Sequence, residues 1–248
     1  MAVNLEKIAD RPRPLYDVPT HYCPGCSHGV VQRLLAEVIT ELDIQGTTIG
    51  VASVGCSLPI YFYLDIDFVC AAHGRAPAVA AGLIRALPDK VIFTYQGDGD
   101  LASAGMGEII HACIRGERMV VIFENNATFG MTGGQMSPTT LLGQKSTTSP
   151  QGRRAADAGY PIKMAELISQ FPGATYVARG AVNTPGNTKK AKLFITKAFQ
   201  NQVFNRGLSF VELLGICPTD WGLSPSDSLA WLKNQMVPYF PLGELKTP

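Results

Sequence analysis

The sequence predicts an α/β protein built on a doubly wound, mostly parallel sheet with helices on both faces. Two observations predict it. Short, continuous apolar runs ("TTIGVAS", "DFVCAA", "KVIFTYQ", "RMVVIFENN") alternate with segments of helical periodicity. That is the pattern of strands buried on both faces by crossover helices. The third run ends in "GDGD" and opens directly onto a helical stretch, which is where such sheets place ligands.

The elements follow in order. Residues 1–20 hold three Pro and several charges and read as an extended arm, suited to lie on another subunit. From His28 to Asp43, apolar residues at Val30, Val31, Leu34, Leu35, Val38 and Ile39 recur at helical spacing. Residues 47–53 and 67–72 are strands, 76–87 an Ala-rich helix, 90–96 a strand, 101–116 a helix and 118–126 a strand. A polar loop rich in Thr, Gly, Gln and Ser spans 127–160; loops of this length inside a compact domain are usually functional. A further set follows: helix 163–170, strand 174–179, helix 188–204 and strand 208–215. The expected organisation is an arm (1–20), one domain (21–222) and a C-terminal tail (223–248), without an internal linker.

Composition narrows the function. Apolar residues are 46% and charged residues 17% of the chain, and the net charge is +1, as in ordinary globular domains. No run of five like charges occurs, so neither nucleic acid nor an anionic membrane is an expected partner. The densest basic stretch, "KKAK" at Lys189–Lys192, reads as a solvated helix face. No apolar run is long enough to span a membrane, and the N-terminus lacks a signal-peptide core. Six Cys in such a chain point to thiols or metal ligands and a cytoplasmic location.

Two motifs carry chemistry. In "GDGD", Gly97 to Asp100, glycines let the backbone approach an anion and the helix start adds amide donors. Asp98 would repel a phosphate unless a divalent cation sat between them. The next strand ends in Asn125–Asn126, a source of a neutral oxygen ligand for the same ion. The plainer reading is a tight strand-to-helix turn beside an ordinary strand end. The glycine spacing is not that of a dinucleotide site. The second motif is "CPGC": Cys23 and Cys26 in a Pro-Gly turn, a spacing that serves a disulfide, a zinc ion, a redox dithiol or an iron–sulfur cluster alike.

GDG, 25 residues, then NN resembles the thiamine diphosphate signature. "CPGCSHG", "SVGCS", "HGRAPAVAAG", "GDGD", "NNATFGMTGGQMSPTT" and "CPTDW" occur in the order seen in β subunits of 2-oxoacid:ferredoxin oxidoreductases, over roughly residues 20–222. The resemblance implies that Asp98 and Asn126 bind Mg²⁺ through side chains and Thr128 through its carbonyl. It implies that Gly97, Gly99 and Asp100 lie along the diphosphate, and that Val54, Gly55, Cys56, Ser57 and His73 line the cofactor, His73 being the catalytic candidate. The loop Gly130 to Gly134, with Met131 and Thr132, would fold over the diphosphate end. Arg75 reads equally as a cofactor contact or an ion-pair residue; His28 and His111 read as structural.

The same resemblance implies that Cys23, Cys26, Cys56 and Cys217 hold a [4Fe–4S] cluster. A Cys₄ zinc site is the structural alternative. Cys70 and Cys113 match no ligand position and are expected as buried small hydrophobes. The implied reaction converts a 2-oxoacid and coenzyme A to acyl-CoA and CO₂, with electrons passed through the cluster to ferredoxin or another acceptor. The activating Glu would come from a pyrimidine-binding domain on an α subunit, with γ and ferredoxin-like δ subunits completing a hetero-oligomer. The 130–154 loop looks more like members acting on branched-chain or aryl 2-oxoacids, such as 2-oxoisovalerate, than like pyruvate enzymes; 2-oxoglutarate stays open. A non-redox thiamine decarboxylase subunit would not need the four cysteines, and a zinc module would not need "GDGD…NN".

Overall fold

The computed structural model describes residues 10–248, so the first part of the expected arm lies outside the described residues. Seven strands form one sheet: β1 (Thr48–Ser53), β2 (Asp67–Ala71), β3 (Val91–Gly97), β4 (Val120–Asn125), β5 (Ala174–Ala181), β6 (Leu208–Leu214) and β7 (Gly243–Lys246). Their order is β2-β1-β3-β4-β6-β5-β7. All pairings are parallel except that of β7 with β5. After β1 the chain steps to one side for β2 and then crosses to the other for β3. Connections on opposite faces splay apart there, and a crevice opens at the carboxyl ends of β1 and β3.

Helices cover both faces. On one, α1 (His28–Glu41) and α6 (Pro185–Val203) bury Val31, Leu35, Ile39, Ile195 and Phe199 against Phe93 and Ile122. On the other, α2 (Ala76–Ala86), α3 (Met106–Arg115) and α5 (Met164–Ser169) cover Val51, Val121 and Phe210. β1, β3, β4 and β6 are buried almost throughout, which is why their sequences are continuous apolar runs rather than alternating ones.

Several details differ from the sequence reading. α6 starts three residues earlier than expected, because Thr184 accepts from the Asn187 N–H at 3.2 Å and Pro185 takes the first helical position. A π-helical turn, Asp100–Ala104, precedes α3. Within the long loop lies a short helix, α4 (Ala155–Ala158). Cys113 is buried as expected, but Cys70 is exposed, because β2 is the edge strand. Residues 10–18 lie on their own chain: Leu15 bridges to Leu64, and Tyr16 donates to Asp65 at 2.9 Å.

The C-terminal segment, expected as a tail, is part of the fold. After α7 (Pro218–Trp221) come α8 (Pro225–Trp231), a π-turn, α9 (Val237–Tyr239) and β7. Leu232, Met236 and Phe240 form a third apolar cluster with Ala127, Leu141, Leu214 and Ile216. This cluster supports the loop after β4 from beneath.

Candidate active site

The carboxyl ends of β1, β3 and β4 open onto a cavity of about 120 Å³. Each strand end contributes its own chemistry. From β1 come Val54, Gly55 and Cys56; from β3, Gly97, Asp98, Gly99 and Asp100; from β4 and the loop after it, Asn126, Thr128, Gly130, Met131 and Thr132. His73 reaches the same cavity from the turn after β2. Of the expected lining residues only Ser57 stands outside it: its hydroxyl is buried and donates to the Ser53 carbonyl at 3.3 Å. Gly99 is dictated by packing, since a Cβ there would lie 2.4 Å from the Phe129 ring.

Asp98 is 2% exposed, and its hydrogen-bond partners are neutral. Oδ1 accepts from the Gly99 N–H at 2.8 Å; Oδ2 accepts from Ser137 Oγ at 2.8 Å and from Thr139 Oγ1. Burial pushes its pKa up to about 6, and the hydroxyl and amide donors only partly hold it down. A buried carboxylate without a cationic partner beside an amide oxygen (Asn126) and a backbone carbonyl (Thr128) is an oxygen donor set suited to Mg²⁺.

The long loop that supplies Ser137 and Thr139 is organised by Arg153, which the sequence reading missed. Its guanidinium donates to the carbonyls of Ser137 (3.3 Å), Pro138 (3.0 Å), Thr140 (2.8 Å), Ala158 (3.0 Å), Gly159 (3.1 Å) and Tyr160 (2.9 Å). The side chain is buried, so the loop folds around it. A sequence signal was present, the pair Arg153–Arg154 in an otherwise small and polar stretch, but nothing in it distinguishes a buried Arg from a solvated one.

Asp100, expected along the diphosphate, spends its carboxylate on other groups. Oδ1 meets His73 Nδ1 and accepts from the Gly74 N–H at 2.5 Å; Oδ2 accepts from Gln96 Nε2 at 2.6 Å. The His73 ring is thereby fixed, with its Nε2 edge left free. Arg75 pairs with Glu108 and donates to the Ala104 carbonyl at 3.2 Å, which favours its ion-pair reading. His111 is exposed on α3.

A second cavity, of about 230 Å³, adjoins the first and is lined by Cys23, Cys26, Cys56 and Cys217. Cys23 and Cys26 come from the turn before α1, Cys56 from the end of β1 and Cys217 from the end of β6, capping α7. Among the described residues no three of His, Cys, Asp and Glu converge closely enough to chelate one ion. The four thiols line one cavity. Gly130 keeps that space open: a Cβ on it would stand 3.3 Å from Cys56 Sγ and 3.7 Å from Cys217 Sγ. Burial raises the pKa of Cys26 to about 12, and burial raises that of Cys217 as well.

The two cavities share a wall of His28, Cys56, Asn126, Gly130 and Met131. His28 is 2% exposed. Its Nδ1 lies 2.5 Å from Tyr95 Oη and 2.7 Å from Glu124 Oε2, and Tyr95 donates to the same oxygen at 2.5 Å. Burial lowers the imidazole's proton affinity, but the Glu124 carboxylate and the Cys56 thiol outweigh it and hold its pKa up at about 9. His28 is therefore part of the site rather than the structural residue expected; its position beside the Cys turn was the available signal.

Comparison with known proteins agrees with this geometry. The family described as thiamine pyrophosphate enzyme, C-terminal TPP binding domain, matches residues 49–212. Ketoisovalerate oxidoreductase subunit VorA of Methanothermobacter marburgensis is 42% identical, over 98% of this chain and 51% of the relative. The 2-oxoglutarate synthase subunit KorB of Methanocaldococcus jannaschii is 36% identical, over 89% of this chain and 79% of the relative. The chain spans about half the length of the ketoisovalerate relatives it matches. In three dimensions it resembles 2-oxoglutarate:ferredoxin oxidoreductase from Magnetococcus marinus, solved with 2-oxoglutarate, coenzyme A and succinyl-CoA bound. The TM-score is 0.80 at 25% identity, covering 98% of this chain and 86% of that one. A sheet whose strand ends gather "GDGD", "NN" and four thiols, in a chain with these relatives, belongs to the thiamine pyrophosphate-binding subunits of the 2-oxoacid:ferredoxin oxidoreductase family.

Proposed function

We infer that this chain carries the diphosphate-binding half of a 2-oxoacid:ferredoxin oxidoreductase active site, acting on 2-oxoisovalerate or a similarly bulky apolar 2-oxoacid. The observation that supports it is the shared wall: the cavity at "GDGD…NN" and the four-cysteine cavity meet at Cys56, His28 and Gly130. A non-redox decarboxylase has no use for that adjacency.

Asp98, Asn126 and the Thr128 carbonyl would hold Mg²⁺ against a diphosphate. Gly97, Gly99 and the loop from Gly130 to Thr132 would bring backbone close to it. Cys23, Cys26, Cys56 and Cys217 would ligate a [4Fe–4S] cluster. When bound, thiamine diphosphate supplies the electron sink for decarboxylation, and a cluster accepts the released electrons singly. The protein's own part is positional. Ser137 and Thr139 keep Asp98 hydrogen-bonded. Asp100 holds His73 with Nε2 toward the cavity, placed to exchange a proton with a reacting group. Of the shared wall, His28 and Asn126 are buried and stand between the two centres.

The reaction is completed by parts that are not among the described residues. A pyrimidine-binding domain supplies the activating Glu, coenzyme A takes the acyl group, and a ferredoxin-like subunit carries electrons to the acceptor. Substrate class follows from the 130–154 loop together with the names of the ketoisovalerate relatives. The test uses protein purified without oxygen together with its co-expressed partner subunits. Expected are thiamine diphosphate, Mg²⁺, iron and sulfide, with CoA-dependent reduction of an artificial acceptor and a higher kcat/KM for 2-oxoisovalerate than for pyruvate or 2-oxoglutarate. Preference for either of the latter overturns the substrate; zinc in place of iron overturns the redox role.

A further inference from the structure

We propose that Asn125, the first of the two asparagines, is a positioning residue that holds a left-handed turn at Ala127 and so aims Asn126 and Thr128 at the cation site. This rests on the cofactor reading above and goes beyond it, because Asn125 lines neither cavity.

Ala127 has φ +56°, one of three non-glycine residues with positive φ among those described. The left-handed region is uncommon for alanine and persists only where surroundings over-determine it. Here they do. Asn125 Oδ1 accepts the Ala127 N–H at 3.1 Å. The Ala127 carbonyl accepts from Thr140 Oγ1 at 2.7 Å and Gln144 Nε2 at 3.1 Å. The Asn126 carbonyl accepts from Trp221 Nε1 at 3.1 Å. The kink turns the chain between Asn126 and Thr128, both of which line the cavity, and brings the Thr128 N–H to within 3.3 Å of Asn126 Oδ1. Without it, β4 would run straight on and the two donors would diverge.

Asn125 is itself held from behind. It is fully buried, and its Nδ2 donates to Glu212 Oε1 at 2.7 Å. Glu212, on the neighbouring strand β6, accepts from Arg179 Nε at 2.8 Å through its other oxygen, and both residues are fully buried. Arg179 in turn meets Glu166 and donates to the Pro241 carbonyl at 3.2 Å. The amide at position 125 serves both neighbours, donating toward a carboxylate and accepting from a backbone N–H at once. Aspartate would set two carboxylates together, and an apolar residue would leave Glu212 and the Ala127 N–H without this partner.

The test compares Asn125→Ala, Ala127→Gly and the double variant with wild type, each purified together with its co-expressed partner subunits. The readouts are thiamine diphosphate binding in the presence of Mg²⁺, by calorimetric titration, and thermal stability. Glycine adopts φ +56° without strain, so it relieves the turn of its need for a clamp. Asn125→Ala should weaken binding roughly tenfold, the scale of one lost positioning hydrogen bond. Ala127→Gly alone should bind like wild type, and the double variant should recover most of the lost affinity without recovering the lost stability. A merely structural role for Asn125 would give a stability loss with unchanged affinity, or an affinity loss that Ala127→Gly does not rescue; either overturns the proposal. Wild-type protein that binds no thiamine diphosphate with Mg²⁺ overturns the cofactor reading itself, an outcome separate from the behaviour of the variants.

Discussion

The thiols of Cys56 and Cys217, far apart in sequence, lie against one glycine: a methyl group on Gly130 would come within 3.3 Å of one Sγ and 3.7 Å of the other. Gly130 does not have a positive φ, so alanine there is allowed by the backbone and opposed only by what fills the space. Gly130→Ala should fold, yet lose most of its iron and sulfide when purified without oxygen. Cys217→Ser should do the same, while Cys70→Ser, on the exposed sheet edge, should retain both. Full iron in Cys217→Ser together with loss in Cys70→Ser would show that the fourth ligand has been misassigned.

Asp98 gives a prediction of opposite sign for stability and binding. Its buried charge has neutral partners only, so the metal-free protein bears a desolvation cost that Mg²⁺ would offset. Asp98→Asn removes the charge and keeps the shape. The melting temperature of metal-free protein should hold or rise, whereas Mg²⁺-dependent thiamine diphosphate binding should fall by at least about 100-fold, on the order of the 3 kcal/mol or more that a charge-assisted site loses. Unchanged binding would remove Asp98 from the cation site.

Much of this was legible in the sequence, for a definite reason. Strands buried on both faces must be continuous apolar runs, so β1, β3, β4 and β6 announce themselves, and ligand chemistry at their ends follows from topology. "GDGD" and Asn126 stood out because both sit at strand ends, whereas the four cysteines were joined only by their resemblance to the family's order, since the "CPGC" spacing alone serves several chemistries. What stayed hidden depends on contacts between distant segments. Arg153 looks like any loop arginine until six carbonyls surround it. His28 looks like a helix-start residue until Tyr95 and Glu124 converge on its Nδ1. The C-terminal segment looks like a tail because α8, the π-turn and α9 are short and mixed in polarity. Its apolar residues find one another only in the cluster beneath Ala127. Asp100 lines the cavity as expected, but its hold on His73 was hidden because that residue follows β2, on the far side of β1 from β3.

Arg153 leads to a test of loop order. Replacing it with Met keeps much of its apolar bulk but removes the donors for the carbonyls of Ser137, Pro138, Thr140, Ala158, Gly159 and Tyr160. Buried carbonyls left unpaired cost about 1–3 kcal/mol each where water cannot reach them, so the loop should open rather than stay folded. Hydrogen exchange across 137–160 should accelerate in Arg153→Met while β1, β3 and β4 stay protected. Thiamine diphosphate affinity should drop, because Ser137 and Thr139 would leave Asp98. Unaltered exchange in that segment would show that the loop is held by something else.

Glu166 provides a pH test of the buried chain behind Asn125. Burial raises its pKa, but hydrogen bonding and charge attraction from Arg179 outweigh it and hold the carboxyl below its usual value of 4.5. The sign follows directly: with the folded pKa depressed, the pair's stabilisation is present above the unfolded value and is lost as pH falls through the lower, folded value. Arg179 is fully buried while the Glu166 side chain is 37% exposed, so solvent screens the pair and its contribution is about 1 kcal/mol, or roughly 2–4 °C in a chain of this size. Glu166→Gln should therefore melt a few degrees below wild type at pH 7, and the gap should close as pH drops below 4.5. Glu212→Gln breaks the fully buried end of the same chain and should cost more, about 3–5 kcal/mol. A Glu166→Gln deficit that stays constant from pH 7 to pH 3.5 would mean that packing, not the ion pair with Arg179, accounts for it.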